Sequence, residues 1–225
     1  LYMDGLNSQI SNSFLLNNYV GGNEAYGGGG YMIVGTGFNM VVANNHSNMD
    51  GGGLFIESAT FYNNTVAYNR AGRNGSGILQ YADAGSGRLS NLSLYNCIFY
   101  GNEGGNAIAS SATGTFTPAY HCYVGGTIQN ELMSKFSTNA PYNNQRSSVN
   151  PFEAGADART TNNYRLSPTS TCVNEGTDNL NQGKEEDDPE AYLPETDMDF
   201  SDRIKDCTVD IGAYERNNED FVEPD

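Results

Sequence analysis

The stretch that decides the fold is residues 44–56, which read NNHSNMDGGGLFI: an Asn pair, a run of glycines and then a short apolar segment. Residues 17–33, 69–80 and 102–109 repeat this order of Asn, Gly and apolar residues. The apolar segments begin at positions 31, 54, 78 and 107, so successive steps are 23, 24 and 29 residues. Self-similarity at a period of this size is typical of a solenoid.

A second short run precedes the Asn in each period, at Ile10–Leu16, Phe38–Ala43, Thr60–Ala67 and Leu92–Phe99. These runs are short, contain alternating or β-branched residues and are bounded by Gly and Asn, which favours strands over helices. We therefore predict an all-β fold, a right-handed, single-stranded parallel β-helix of the pectate-lyase-like type. Asn tolerates the left-handed conformation at corners, and Asn stacked on Asn predicts amide ladders along the axis. Leucine-rich repeats have a similar length, but their Leu-x-x-Leu-x-Leu pattern is absent.

Charge divides the chain into two units. The whole chain has a net charge of -16, which excludes a nucleic-acid partner or an anionic membrane surface because phosphates would not be neutralised. Residues 1–150 carry seven acids and five bases, and residues 151–225 carry 20 acids and six bases. We expect parallel β-helix coils over residues 1–130 and an irregular, acidic C-terminal cap over residues 131–225. No apolar run approaches the roughly 20 residues of a membrane span.

The two ends of the predicted stack differ. Each coil buries its apolar face only when another coil or a cap covers it. Leu1 begins within a strand-like segment, so we expect upstream coils or a cap in the full protein, or docking of another chain onto the open N-terminal coil. At the other end, we expect the acidic unit to cover the last coil.

Four cysteines bear on the compartment. Cys172 and Cys207 fall in the least regular part of the sequence, where a covalent link would stabilise most, and we predict a disulfide between them and hence export. The alternative is four buried thiols. The state of Cys97 and Cys122 stays open.

The acidic unit carries a series of motifs. They are NPF at 150–152, NYRLSP at 163–168, CVNEG at 172–176, DMDF at 197–200 followed by RI at 203–204, and VDIGAYE at 209–215. In this order they resemble the C-terminal end of the bacterial β-helix surface proteins called choice-of-anchor Q proteins, which are frequent in Bacteroidetes. The chain departs from that family's pattern at Cys172, at Asn174, at Phe200 and in the insert 184–190. The resemblance implies an outer-membrane-associated or extracellular protein.

The residue types of these motifs suit a cap. Tyr164, Leu166 and Tyr214 can lay apolar surface on the coils, each contributing about 1.5 to 3 kcal/mol if fully buried. Arg203 can pair with a nearby carboxylate and so pin the returning chain; the candidates are Asp197, Asp199, Asp210 and Glu215.

The carboxylates of the same unit allow a second interpretation, a calcium site. Asp197, Asp199 and Asp202 place oxygen ligands close together in a short loop, as hard-cation loops do. The loop lacks the Gly and the bidentate Glu of an EF-hand. Otherwise we expect no cofactor.

Candidate catalytic residues in the coils are few. A polysaccharide lyase needs a base and a group that neutralises the uronate carboxylate, and Arg70, Arg73 and Asp83 are the weak candidates. Solubilising loop charge explains the two arginines equally simply. Neither His46 nor His121 lies in the Gly-His-Gly context of a polygalacturonase-like hydrolase.

Tyrosines recur through the coils, and Tyr26, Tyr68 and Tyr81 lie near Asn and Gly corners. Tyr faces and Asn amides are suited to glycan binding; packing of the same rings in the core or at corners is the other interpretation. Two function classes result. One is a non-catalytic adhesin or scaffold that binds a glycan or a surface protein. The other is the C-terminal part of a polysaccharide lyase or glycoside hydrolase with its active coils upstream.

Overall fold

The computed structural model describes residues 1–82, 90–111, 115–178, 193–204 and 208–216. The first coil contains β1 (Tyr2–Ser11), β2 (Phe14–Leu16) and β3 (Tyr19–Val20). The second contains β4 (Gly30–Phe38), β5 (Val41–Ala43) and β6 (His46–Ser47), and the third β7 (Leu54–Tyr62), β8 (Thr65–Ala67) and β9 (Arg70–Ala71). The fourth contains β10 (Ile78–Gln80), β11 (Asn91–Tyr95) and β12 (Ile98–Tyr100), and the fifth β13 (Ile108–Ser110), β14 (Thr115–Phe116) and β15 (Tyr123–Gly125). β16 (Gln145–Arg146) follows.

These strands stack into a parallel β-helix of about five turns. Sheet 1 has the order β1-β4-β7-β10-β13, with β11 and β14 continuing it beside the C-terminal half of β7. Sheet 2 has the order β16-β15-β12-β8-β5-β2, and sheet 3 the order β3-β6-β9. The predicted strands are in parallel register, with Tyr31 beside Phe55, Phe55 beside Leu79, and Leu79 beside Ala109. The predicted solenoid is confirmed.

The core runs along the axis because alternate strand residues point inward. The second to fifth coils contribute fully buried apolar side chains to sheet 1, among them Met32, Leu54, Ile56, Ile78 and Ile108, and the first coil adds the partly buried Met3 and Ile10. Each coil therefore buries its inward-facing apolar side chains against those of its neighbours.

Asparagine amides join the coils at one corner. The Asn18 amide donates to Asn45 Oδ1 at 2.9 Å, Asn45 to Asn69 Oδ1 at 2.9 Å, and Asn69 to Asn102 Oδ1 at 3.0 Å. The residue before Asn45, Asn44, has φ of 57°, the left-handed conformation that Asn adopts more readily than other non-glycine residues. The predicted Asn ladder is confirmed.

A short helix at the start of the predicted cap covers the end of the core. The 3₁₀ helix Asn130–Lys135 places Leu132 in the core beyond the fifth coil, and Phe136 follows it there. The coils also continue past residue 130, because β16 adds a strand to sheet 2.

The described residues between 150 and 216, which we call the flank segment, lie along the side of the solenoid: they are 150–178, 193–204 and 208–216. Their regular structure in the described residues is the 3₁₀ helix Gly155–Asp157 and the helix α1 (Ala158–Thr161). They cover outward-facing Val41, Ala67 and Ile98 of sheet 2 with side chains that include Tyr164 and Ile211. The expectation that the whole acidic unit covers the last coil is therefore corrected: sheet 2 has an apolar outer face, and the flank segment buries it.

Corner side chains tie the flank segment to successive coils. The amide of Asn12 donates to Asp197 O at 3.1 Å, that of Asn39 to Thr196 O at 2.7 Å, and that of Asn96 to Thr177 O at 2.8 Å. Gln145 donates to Thr171 O at 2.7 Å. The flank segment therefore spans the stack from the fifth coil to the first. No helix in the described parts of the chain is long and apolar enough to cross a membrane.

Candidate functional site

The outer side of sheet 1 carries stacked aromatic rings. Because Leu54 and Ile56 point into the core, Phe55 points outward. The ring centroids of Phe55 and Tyr31 are 5.0 Å apart, and those of Tyr31 and Tyr2 are 5.9 Å apart. We call Tyr2, Tyr31 and Phe55, with the two flanking rings described next, the aromatic face.

Tyr26 and Tyr81 flank this stack. The centroid of Phe55 lies 4.9 Å from that of Tyr26 and 5.3 Å from that of Tyr81. Such separations are those of interacting aromatic pairs. Two of the three tyrosines that the sequence predicts as ligand-binding residues therefore meet on one phenylalanine.

The glycine run places Tyr26 against the sheet. Gly27 has φ of 69°, and a Cβ there would lie 2.3 Å from Gly30 O. A Cβ at Gly28 would lie 2.2 Å from Gly52 O in the next coil. Only glycine permits this close stacking of corners, and the corner holds Tyr26 beside Phe55.

Exposure varies across the aromatic face. Tyr2 is 67% exposed and Tyr81 36%, whereas Phe55 is only 4% exposed. Tyr26 and Tyr31 are half-buried. The ring of Phe55 is therefore buried beneath the tyrosines, and the tyrosines expose ring surface to solvent.

A carboxylate lies within this surface. The Tyr31 hydroxyl donates to Glu57 Oε1 at 3.1 Å. Burial, together with the negative charge of Glu57, raises the pKa of Tyr31 to about 12. The phenol therefore stays protonated and keeps donating to Glu57 throughout the neutral range.

Hydroxyl side chains continue the outer side of sheet 1. Thr36, Thr60 and Ser93 occupy matching positions of successive coils. Thr117 Oγ1 donates to Leu92 O at 3.1 Å and accepts from Ser93 Oγ at 2.9 Å. The row supplies groups that both donate and accept hydrogen bonds.

An ion pair borders the aromatic face. Arg73 Nη2 donates to Asp50 Oδ2, and Asp50 Oδ1 accepts the backbone N–H of Asn74 at 3.0 Å. The hydrogen bond from Arg73 to Asp50 raises the pKa of the guanidinium. Arg73 therefore holds its proton firmly, which argues against its use as a catalytic base.

Of the other two catalytic candidates, Arg70 forms no ion pair with Asp50 in the described part of the chain. Arg70 lies exposed in β9 of sheet 3, beside His46 in register. Asp83 lies outside the described residues. Among the residues that the structure describes here, these candidates do not form the pair that a lyase needs, a base beside a group that neutralises the uronate carboxylate.

Tyr68 belongs to another part of the molecule. Its hydroxyl accepts a hydrogen bond from the Asn150 amide at 2.9 Å, and its ring lies 6.2 Å from Phe152 and 6.4 Å from Tyr164. It therefore packs between sheet 2 and the flank segment, apart from Tyr26 and Tyr81.

The six residues predicted to form the cap are all buried within the flank segment: Tyr164, Leu166, Arg203, Asp210, Tyr214 and Glu215. Arg203 is 1% exposed. Its Nη1 lies 3.5 Å from Glu215 Oε2, and its Nη2 donates to Ala213 O at 3.0 Å and to Asn39 Oδ1. Arg203 therefore links the flank segment to the second coil, as a pinning residue would.

The predicted calcium ligands make other contacts. Asp197 Oδ1 accepts the backbone N–H of Asp199 and of Ser201, both at 2.9 Å. Asp199 binds Arg165 in a bidentate pair, with nitrogen to oxygen distances of 3.0 and 2.7 Å. Asp202 is exposed. In the described part of the chain, no three His, Cys, Asp or Glu side chains lie close enough together to hold a metal ion, and calcium stays an untested prediction.

The cysteines leave the prediction of export untested. Cys172 is a free, fully buried thiol, and burial raises its pKa to about 12. Cys207 lies outside the described residues, and the free thiol of Cys172 does not support the predicted disulfide between the two. Cys97 and Cys122 are free and buried in the core.

The sequence prediction missed Tyr31, Phe55 and Glu57. The missing signal was the phase of the alternation: once Leu54 and Ile56 are assigned to the core, Phe55 and Tyr31 must face outward. Comparison with protein-family models, with curated proteins and with solved structures produced no match. The assignment of a function therefore rests on this geometry.

Proposed function

We propose that this chain is a non-catalytic, exported β-helix protein that acts as an adhesin or scaffold at the cell surface and binds glycan through the aromatic face. The observation that carries the proposal is the meeting of Tyr26, Tyr31 and Tyr81 around Phe55 on the outer side of sheet 1. Aromatic rings contact the C–H faces of sugars, and Tyr hydroxyls and the hydroxyl row bond sugar hydroxyls.

Two further features support a binding role. The parallel stack is a rigid scaffold, because each described coil is tied to its neighbours by strand pairing, and the first four coils are also joined by the Asn ladder. The resemblance of residues 150–215 to choice-of-anchor Q proteins supports a surface location. The flank segment covers sheet 2 and leaves Tyr2 and Tyr81 on sheet 1 exposed.

The alternative, the C-terminal part of a lyase or hydrolase, gains less from the same residues. Asp50 holds the guanidinium of Arg73, and Arg70 lies on another sheet. Incubation with pectin, alginate and glycosaminoglycans, with and without calcium, should give neither unsaturated products nor new reducing ends. Turnover that Arg70→Ala or Arg73→Ala abolishes would favour the lyase.

A binding experiment tests the proposal directly. The folded chain is screened against a glycan array, and the ligand found is titrated by calorimetry against Tyr26→Ala and Tyr81→Ala. We expect each variant to weaken binding about 10-fold, because each removes one ring from the contact.

Tyr19→Ala is the matched control for this experiment. Tyr19 is 63% exposed and stacks on His46 of sheet 3, away from the aromatic face. Its substitution should leave the affinity unchanged. Equal losses in all three variants, or no glycan ligand at all, would contradict the proposal; a protein ligand lost in the same variants would replace the glycan by a surface protein.

A further inference from the structure

The charges around the aromatic face bear on which glycans it accepts. Glu57 carries its carboxylate into the face, where it accepts the Tyr31 hydroxyl at 3.1 Å. Its position in β7, two residues after Phe55, places it on the same outer side of sheet 1. A ligand carboxylate on these rings would therefore approach a fixed negative charge.

The cation beside the face does not offset that charge. Arg73 is bound to Asp50, which is itself held by the N–H of Asn74. The pair is neutral as a unit, so Arg73 brings no net positive charge to the face to balance Glu57. The chain as a whole, at -16, adds to the repulsion of an anionic polymer.

The remaining polar groups suit an uncharged ligand. Thr60, Ser93 and Thr117 lie half-buried along the outer side of the same sheet. Hydroxyl groups of this kind exchange hydrogen bonds with sugar hydroxyls and confer no preference for charge.

We infer that the aromatic face selects neutral oligosaccharides and rejects uronate-containing ones. This inference rests on the proposed function, because it specifies the ligand class of the same site. It also distinguishes this β-helix from one built to hold an acidic polysaccharide, where unpaired arginines or a cation would be needed to neutralise the ligand.

The test compares neutral and anionic oligosaccharides of the same length. Calorimetric titration of the full chain uses cello- and manno-hexasaccharides as neutral probes, and hexasaccharides of galacturonate and mannuronate as anionic probes. We expect the anionic probes to bind at least about 10-fold more weakly than the better neutral one. Raising the salt concentration should narrow this gap, because it screens the repulsion.

Glu57→Gln separates charge from shape, since Gln still accepts the Tyr31 hydroxyl. It should raise the affinity for the anionic probes several-fold relative to the affinity for the neutral probes, because only the anionic probes meet the charge that the substitution removes. Tighter binding of a uronate probe than of both neutral ones would overturn the inference and leave glycan binding intact. If neither class binds, the proposed function itself fails. Should the variant misfold, the salt series on the unchanged chain still decides.

Discussion

At the scale of single residues, the buried charges of the flank segment determine how it responds to pH. Glu215 is 8% exposed, faces Arg203, Asp210 and Asp197, and accepts the backbone N–H of Asp210 at 3.1 Å. Burial, together with the charge of Asp210, raises its pKa to about 8. Burial likewise raises the pKa of Asp210.

We therefore predict that the protein loses stability between about pH 4.5 and 8. The folded chain keeps a proton on Glu215 that the unfolded chain releases, so the stabilisation is complete below the unfolded pKa and is lost as pH rises through the folded one. Urea unfolding across this range should show the free energy of unfolding falling by at least about 1 kcal/mol. Glu215→Gln should flatten the profile, and an equal slope in this variant would refute the assignment.

The residues of the aromatic face show what a sequence can and cannot indicate. Tyr26 and Tyr81 are recognisable because they border glycine corners, whereas Phe55 lies inside an apolar run and could equally be core. The side chain of Phe55 faces outward only if Leu54 faces the core. A shift of the strand by one residue would exchange the two, so that Phe55 would face the core instead.

At the scale of elements, the Asn ladder is the part of the solenoid that the sequence predicts most directly. Asn recurs once per period, at Asn18, Asn45, Asn69 and Asn102, and stacking of parallel corners explains this recurrence because it lets each amide bond to the next. Asn69 is fully buried; its amide donates to Val42 O at 2.8 Å and to Asn102 Oδ1, and its Oδ1 accepts from Asn45. The ladder therefore satisfies backbone groups in the corners as well as other amides.

Asn69→Ala should destabilise the protein by about 2 to 4 kcal/mol, because several buried donors and acceptors lose their partner at once. The control is Asn18→Ala at the exposed first rung, where water replaces the lost bond and the cost should stay under about 1 kcal/mol. Denaturant titration of both variants measures the difference. A smaller loss for Asn69 than for Asn18 would mean that the ladder adds nothing to coil stacking.

At the scale of the whole molecule, the repeat pattern of the sequence does not indicate where the flank segment docks on the solenoid. Its motifs predict burial of Tyr164, Leu166 and Tyr214, and all three are buried. Their docking surface was assigned to the last coil because solenoid ends need covers, but Leu132 and Phe136 already fill that place. The flank segment binds the corner amides of several coils, and the repeat pattern of the sequence does not indicate that contact.

This arrangement predicts that one ring in the flank segment affects the whole side of the solenoid. Tyr164 is 1% exposed, meets the ring of Phe152 edge-on at 5.5 Å, and its hydroxyl accepts the amide of Asn44 at 3.1 Å. Tyr164→Ala should cost about 3 to 5 kcal/mol, as for other large aromatic residues removed from a core.

Hydrogen exchange locates that loss. If the flank segment is held by the coils and not the reverse, Tyr164→Ala should speed exchange at 152–176 and 208–216 and leave the amides of β4 and β7 protected, because the coils keep their neighbours. Phe200→Ala, on the same segment at a side chain that is 74% exposed, should change neither region. Loss of protection in β7 together with the flank segment would instead mean that the solenoid cannot stand without it. The aromatic face on sheet 1 would then depend on residues at the opposite end of the sequence.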